Sequence, residues 1–283
     1  MSTMFGARVP FYKLQGCGND FVAIDNRVLR LPKTLMPEWA RRICPRAFGV
    51  GADGIFFVEP AAPGVPVDYV WHFYNADGSR AEMCGNASRC VGRLAHALGI
   101  AGEKHVLGTD AGPIAIAVDA QAGQVRVQLT EPRDLALNIA LRVQDRDITV
   151  HFVNTGVPHA VVPVPRVDEV NVADLGRTVR FHERFAPAGT NVNFVQIVDR
   201  RSTLVRTYER GVEAETYACG TGVSAVQVVL AALGLTENEV ANTTTGGEVL
   251  TTSLEGGRVF LKGAAELTFT GEINAPALGL PLA

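Results

Sequence analysis

Two stretches of this sequence set a thiol where it can meet unpaired backbone N–H groups. "MCGNASRC" (83–90) and "YACGTGVS" (217–224) each place a Cys-Gly pair ahead of an apolar, helix-like run. A cysteine at a helix N-terminus faces the positive end of the helix dipole and the first-turn N–H groups, and both favour the thiolate. The residues that follow, Gly85-Asn86 and Gly220-Thr221, are small. They leave those N–H groups open to an anion such as a substrate carboxylate. One such cysteine is ordinarily a small core residue. Two of them, at 84 and 219 and so 135 residues apart in a chain of 283, form a pattern.

Several chemistries use thiols. A cysteine hydrolase needs a His partner, and His159 in "TGVPHAV" is available. A redox pair needs the two sulfurs to meet. General acid–base work on a carbon acid uses both symmetrically, one thiolate removing a proton while the opposite thiol supplies one, and the twofold pattern favours it. Pyridoxal chemistry is disfavoured: the only lysines are Lys13, Lys33, Lys104 and Lys262, none in a phosphate-binding context. No metal site is expected. The five cysteines (Cys17, Cys44, Cys84, Cys90, Cys219) are scattered, contain no Cys-x-x-Cys pair, and are expected reduced. Cys17, in an early loop, and Cys44, at a helix end, read as ordinary buried thiols.

The elements that must position these thiols are mostly strands. Short β-branched runs such as "FVAID" (21–25), "DYVWHFYN" (68–75), "DITVHFVN" (147–154) and "NFVQIVD" (193–199) alternate with Gly, Pro, Asp and Asn. Helices are expected over 36–44, 87–99 and 222–234, the last two each closed by a Gly suited to a helix end. These two helices look like copies. Each starts beside Cys-Gly, ends in "LAHALG" or "LAALG", and follows a polar strand-turn. The recurrence predicts two similar domains in a strand-rich α+β protein, with "LTEPRDLALNIALRVQDRD" (129–147) as connector. At 47% hydrophobic and 19% charged, with net charge −3, the chain can bury a sizeable core and has no basic excess for nucleic acid. Its longest apolar stretch is too short to span a bilayer. The N-terminus lacks a signal-peptide core, so a cytoplasmic location is expected.

"NADGSRAEMCGNASR" (75–89) and "ERGVEAETYACGTG" (209–222), with "GCGNDFV" (16–22), "FGVGADG" (48–54), "NTGVPHAV" (154–161) and "GTNVNFVQ" (189–196), resemble the diaminopimelate epimerase family over nearly the whole chain. The resemblance implies two pseudo-symmetric strand-rich domains, each a β-roll or barrel wrapped around a central α-helix, with the active site in the cleft between them. It implies boundaries at 1–131 and 132–268, with a tail at 269–283 returning to the N-terminal domain. It implies a cofactor-independent isomerase that interconverts LL- and meso-diaminopimelate in lysine and cell-wall precursor synthesis, as a homodimer. Cys84 and Cys219 match the catalytic pair, the first as proton donor and the second as acceptor, exchanging with direction. Gly85, Asn86, Gly220 and Thr221 match the helix mouths that hold the reacting carboxylate. Asn19, Asn75, Asn191, Glu209 and Arg210 match the substrate-binding polar set, and His159 and Glu209 match residues that tune the thiols.

Three positions depart from the family pattern. Val157 stands where Gly-Asn-Pro-His has Asn, with Asn154 as the nearby amide. "GVEAET" is one residue longer than the usual loop before the second cysteine. Gly54 stands where some members have Gln. Two other readings keep the fold: a cofactor-independent racemase of histidine or another amino acid, which needs no grip on a second carboxylate, and a non-catalytic amino-acid-binding protein, which needs no pair of thiols.

Overall fold

The computed structural model describes residues 8–143 and 145–281, and these divide into two compact units. One runs from the N-terminal side to Val127 and resumes at Ala264; the other is Gln128–Gly263. The first unit contains β1 (Arg8–Gly16), β2 (Asn19–Asp25), α1 (Asn26–Leu29), α2 (Met36–Ile43), β3 (Gly54–Pro60), β4 (Tyr69–Asn75), α3 (Gly85–Ala97), β5 (Lys104–Thr109), β6 (Gly112–Asp119) and β7 (Gln124–Gln128). The second contains β8 (Arg133–Val143), β9 (Arg146–Asn154), β10 (Pro158–Pro163), α4 (Val172–Arg180), β11 (Asn191–Asp199), β12 (Ser202–Glu209), β13 (Ala214–Thr216), α5 (Gly220–Ala232), β14 (Glu239–Thr244), β15 (Val249–Glu255) and β16 (Arg258–Ala264). The last strand, β17 (Glu266–Asn274), pairs with β1 and so belongs to the first unit.

Strand order shows the repeat directly. In the first unit it is β17-β1-β2-β3-β4-β5-β6-β7. In the second it is β8-β9-β10-β11-β12-β14-β15-β16. The sense of every pairing matches. Within these two orders, β2–β3 and β4–β5 and their counterparts β10–β11 and β12–β14 run parallel and the others antiparallel. By sequence, β8 and β17 are the last strands of their halves, yet each pairs with the first strand of the other half. The change of unit therefore falls at 127/128 and 263/264.

Each unit wraps its strands around one helix and lays a second helix on the outside. α3 and α5 are buried on nearly all sides, including Asn86, Ser88, Arg89, Ser224 and Gln227. A helix covered all round is a core element, and its ends are then fixed by the surrounding strands. On the other face, α2 packs Trp39 and Ile43 onto Val22, Ile24 and Phe57, and α4 packs Val172 and Val179 onto Val192, Phe194 and Tyr208.

Two elements differ from the sequence expectation. The stretch 129–147, read as a connector, is largely β8. Among the described residues it pairs with β9 alone, through an irregular register with Asp134 and Asn138 at positive φ, so it shows no clean alternation. α4 carries no sequence expectation because Gly176 interrupts its pattern. A Cβ there would come within 2.5 Å of Tyr208 Cβ, so the helix lies too close to β12 for any side chain.

Candidate active site: two cysteine-capped helix mouths

α3 starts immediately after Cys84, two residues earlier than its periodicity suggests, because the cysteine itself is the N-cap. Cys84 is extended (φ −145°, ψ 123°), and its carbonyl takes the first helical bond, from Ser88 N–H at 2.8 Å. The preceding first-turn N–H groups have no intrahelical acceptor. Cys84 is half-buried, and its Sγ lies 4.0 Å from Asn19 Oδ1. The same oxygen faces Asn86 Nδ2 at 3.4 Å, so Asn19, Cys84 and Asn86 come together.

Behind them stands a charged network that the motif reading missed. Asn19 Nδ2 donates to Asp53 Oδ2 at 2.5 Å, and Asp53 also accepts the Asp20 N–H at 3.1 Å. Arg46 bridges Asp53 and Asp20, both at 2.8 Å, while Lys13 bonds Asp20 at 2.5 Å and the Gly51 carbonyl. Burial would raise the Asp20 carboxyl, but the hydrogen bonds from Arg46 and Lys13 outweigh it and hold the group at about 2. The only sequence trace of it was "FGVGADG", a motif that carried no role for Asp53. Asn75 ends β4 opposite Gly54 and is exposed; its Nδ2 donates to Ser79 Oγ at 3.0 Å, in a turn.

In the second unit Cys219 caps α5 in the same way (φ −119°, ψ 108°), with Val223 N–H on its carbonyl at 3.0 Å. It is 8% exposed, and its Sγ lies 3.5 Å from the Thr221 hydroxyl. Thr155 Oγ1 donates to Thr221 O at 2.9 Å and steadies the mouth. Gly222 completes the turn. A Cβ there would run into Asn193 Oδ1 and come within 3.2 Å of Cys219 Sγ.

Asn193 is fully buried and fixes its neighbours. Its oxygen accepts from Thr207 Oγ1 at 3.0 Å, and its nitrogen donates to Ala160 O at 3.1 Å and faces His159 Nδ1 at 3.1 Å. His159 Nδ1 is therefore an acceptor, and the neutral ring carries its proton on Nε2. Burial first, and the Arg210 charge second, push His159 down to about 3. Its Nε2 has no hydrogen-bond partner among the described residues. Asn191 Oδ1 accepts the Arg210 N–H at 2.8 Å, and its Nδ2 donates to Pro158 O at 3.0 Å. The Arg210 guanidinium donates to Ala188 O at 3.2 Å, and Glu209, half-buried, closes β12. Asn154 Oδ1 accepts the Gly156 N–H at 3.0 Å, so its oxygen is engaged in its own turn.

Two of the remaining thiols differ in kind. Burial pushes Cys44 up to about 12 and pushes Cys90 up as well. Among the described residues there is no cluster of His, Cys, Asp and Glu able to hold a metal ion, and no helix is long and apolar enough to cross a membrane.

The same fold recurs in solved structures at low sequence identity. Similar solved structures include a hydroxyproline epimerase from Agrobacterium vitis (TM-score 0.73, 15% identity, covering 95% of this chain and 94% of that one). A probable proline racemase from Agrobacterium radiobacter K84 matches at TM-score 0.72 and 17% identity, over 97% and 99% of the chains. Sequence comparison is more specific. The family model described as diaminopimelate epimerase matches residues 11–135 and 151–268. The chain is 46% identical to a diaminopimelate epimerase of Aquifex aeolicus over 95% of its own length and 99% of the relative's. It is 38% identical to one from Archaeoglobus fulgidus, over 93% and 96%. This chain belongs to the diaminopimelate epimerase family.

Proposed function

We propose that the protein is an isomerase that interconverts LL- and meso-2,6-diaminopimelate without a cofactor, by two-base proton transfer at one α-carbon. The observation that carries this reading is the repeated mouth: in each unit a cysteine N-caps a buried 13-residue helix. One thiolate takes the α-proton and becomes a thiol. The other thiol gives its proton to the opposite face of the carbanion and becomes a thiolate. Nothing is oxidised or reduced. For this the two mouths must address a single substrate carbon. The open N–H groups after Cys84 and Cys219 suit its carboxylate and the charge that spreads onto it.

Arg210, Asn191, Glu209, Asn19 and Asn75 form the polar set for the rest of the substrate, with Arg210 assigned to the distal carboxylate. His159 is assigned to tuning the thiols as a neutral imidazole, since a ring held near 3 does not take up a second proton at neutral pH. A role in lysine and peptidoglycan precursor synthesis, a cytoplasmic location and a homodimer accompany this reading as family expectations.

The test is to incubate the purified, reduced protein with LL-diaminopimelate in deuterium oxide without added cofactor. Meso product with deuterium at one α-carbon supports the reading. Turnover of L-histidine or L-proline with no turnover of diaminopimelate would replace it with the racemase reading.

A further inference from the structure

An amide side chain offers a sulfur either an N–H or an oxygen, and the choice decides which protonation state it stabilises. Asn19 has no freedom in this choice. Its Nδ2 lies 2.5 Å from Asp53 Oδ2, and a carboxylate can only accept. The oxygen must therefore point the other way, where Cys84 Sγ stands at 4.0 Å and Asn86 Nδ2 at 3.4 Å. Asp53 is itself pinned by the Asp20 N–H at 3.1 Å and by Arg46 at 2.8 Å. An oxygen lone pair beside sulfur accepts from S–H and repels S⁻. At the other mouth the neighbour is the Thr221 hydroxyl, at 3.5 Å, which can donate to a thiolate.

We propose that Asp53 is a positioning residue that acts through the Asn19 amide to hold Cys84 as the thiol, leaving Cys219 as the resting thiolate. This rests on the two-thiol reading above and deepens it: the resting enzyme is poised to take the proton at Cys219 and deliver one from Cys84. Other charged or titratable groups on this side include Arg46, Asp20 and Lys13 in the same network, Arg89 and Cys90 on α3, Cys17 beside Arg89, and Glu266, whose charge acts on Cys90 along with that of Cys84. Arg89 donates to Gly85 O at 3.4 Å and to Cys17 Sγ at 3.3 Å, so its charge favours the thiolate and works against Asn19. Cys90 is neutral, its thiol raised by burial. The Asn19 orientation thus favours the thiol on this side.

The experiment follows the iodoacetamide alkylation rate of Cys84 against pH in reduced full-length protein, peptide by peptide, with Cys219 as internal reference. Asp53→Asn removes the obligate acceptor and lets Asn19 turn its N–H to sulfur. The expected result is Cys84 alkylation at neutral pH faster by roughly tenfold, a fall of about one pKa unit, with Cys219 unchanged. Asp53→Asn also removes a charge, so two further arms separate charge from orientation. In 1 M salt, where the screening length is about 3 Å, an exposed charge effect fades and an orientation effect stays. In an Asn19→Ala background the oxygen is already gone, so Asp53→Asn should add nothing. If Asp53→Asn does not fold, Asn19→Ala alone must still speed Cys84. An unchanged Cys84 profile, a change lost in 1 M salt, or an equal effect of Asp53→Asn with and without Asn19 would overturn the proposal. None of these depends on the substrate, so failure here is distinct from a failure to epimerise diaminopimelate.

Discussion

The two helix mouths share a frame and differ in nearly every side chain around the sulfur. The matching registers of β2–β3 and β10–β11 pair Phe21 with Gly54 in one unit and His159 with Asn191 in the other. Counting from these pairs, Asn19 corresponds to Val157; through the next registers, β3–β4 and β11–β12, Asn75 corresponds to Glu209 and Ala76 to Arg210; and counting from the N-cap cysteines, Ala87 corresponds to Gly222. The first mouth has an amide oxygen beside its thiol and an ion network behind it, buried at Lys13 and exposed at Arg46 and Asp53. The second has a valine at the amide's place, a hydroxyl beside its thiol, and a dry layer of His159, Asn193 and Thr207. Duplication gives the backbone N–H groups to both mouths equally. The asymmetry an epimerase needs, one acid and one base at rest with a grip on only one end of the substrate, has to come from side chains.

The largest expected effect tests whether both mouths are needed. Cys84→Ser and Cys219→Ser should each lower epimerisation about a thousandfold or more, since a serine hydroxyl is a far weaker acid and general acid–base groups contribute 10²–10⁴. Cys90→Ser, at a buried neutral thiol, should stay within a few-fold of the parent rate. Steady-state turnover of LL-diaminopimelate measures all three. A single cysteine sufficing for full activity would remove the two-mouth reading.

The next effect belongs to one mouth alone. The first unit has Ala76 where the second has Arg210, so distal recognition should sit on the second side. Arg210→Lys gives up a planar fork for a point charge, and losing a charge-assisted contact of this kind costs roughly 2–5 kcal/mol. Diaminopimelate turnover should fall by orders of magnitude, while any residual racemisation of lysine should change little. Equal losses on both substrates would assign Arg210 to holding β12 and Asn191 in place.

A smaller effect separates the turns themselves. Ala87 is buried with its Cβ accommodated, whereas a Cβ at Gly222 meets Asn193 Oδ1 and Cys219 Sγ. Gly222→Ala should destabilise the protein by about 1–3 kcal/mol through overpacking, with activity lost as the Cys219 turn shifts. Ala87→Gly should cost only about 1 kcal/mol, from helix propensity. Thermal unfolding of the two variants gives the comparison. Equal costs would mean that the second mouth relaxes as easily as the first.

What was legible in the sequence follows the same division. The cysteines, the glycines after them and both core helices announce themselves because a duplicated backbone motif repeats in local sequence. β8 and α4 did not, one being a bulged edge strand and the other broken by Gly176, whose reason lies in Tyr208, 32 positions away. Asp53, Arg46 and Lys13 look like unremarkable surface charges until β1, β2 and the loop before β3 bring them behind Asn19. Asn193 and Thr207 sit in strands whose pattern calls for apolar residues, and that mismatch was a usable signal of a buried polar layer.

The smallest effect concerns that dry layer and is read from stability against pH. His159 is held near 3 by burial and by Arg210, against an ordinary value of 6.5. Its folded-state value is therefore depressed below its unfolded value. Below pH 6.5 the unfolded chain takes up a proton that the folded ring refuses, so stability is present above 6.5 and is lost as pH falls towards 3. The slope from this one group is about 1.4 kcal/mol per pH unit, or about 2 kcal/mol between pH 6.5 and 5. Its counterpart Phe21 cannot titrate, so the first mouth has no such term at this position. His72, His105 and His151 are also lowered and add slopes of their own, which makes the difference between parent and variant the informative quantity. His159→Gln can keep an acceptor for the Asn193 amide and has nothing to protonate. It should be less stable at pH 8, where the parent's packing is intact, and should close part of that gap by pH 5. Urea unfolding of both proteins at four pH values measures it. A constant gap across the range would mean that His159 takes up its proton in the folded protein, and its proposed part in tuning the thiols would then be that of a proton carrier and not of a permanently neutral ring.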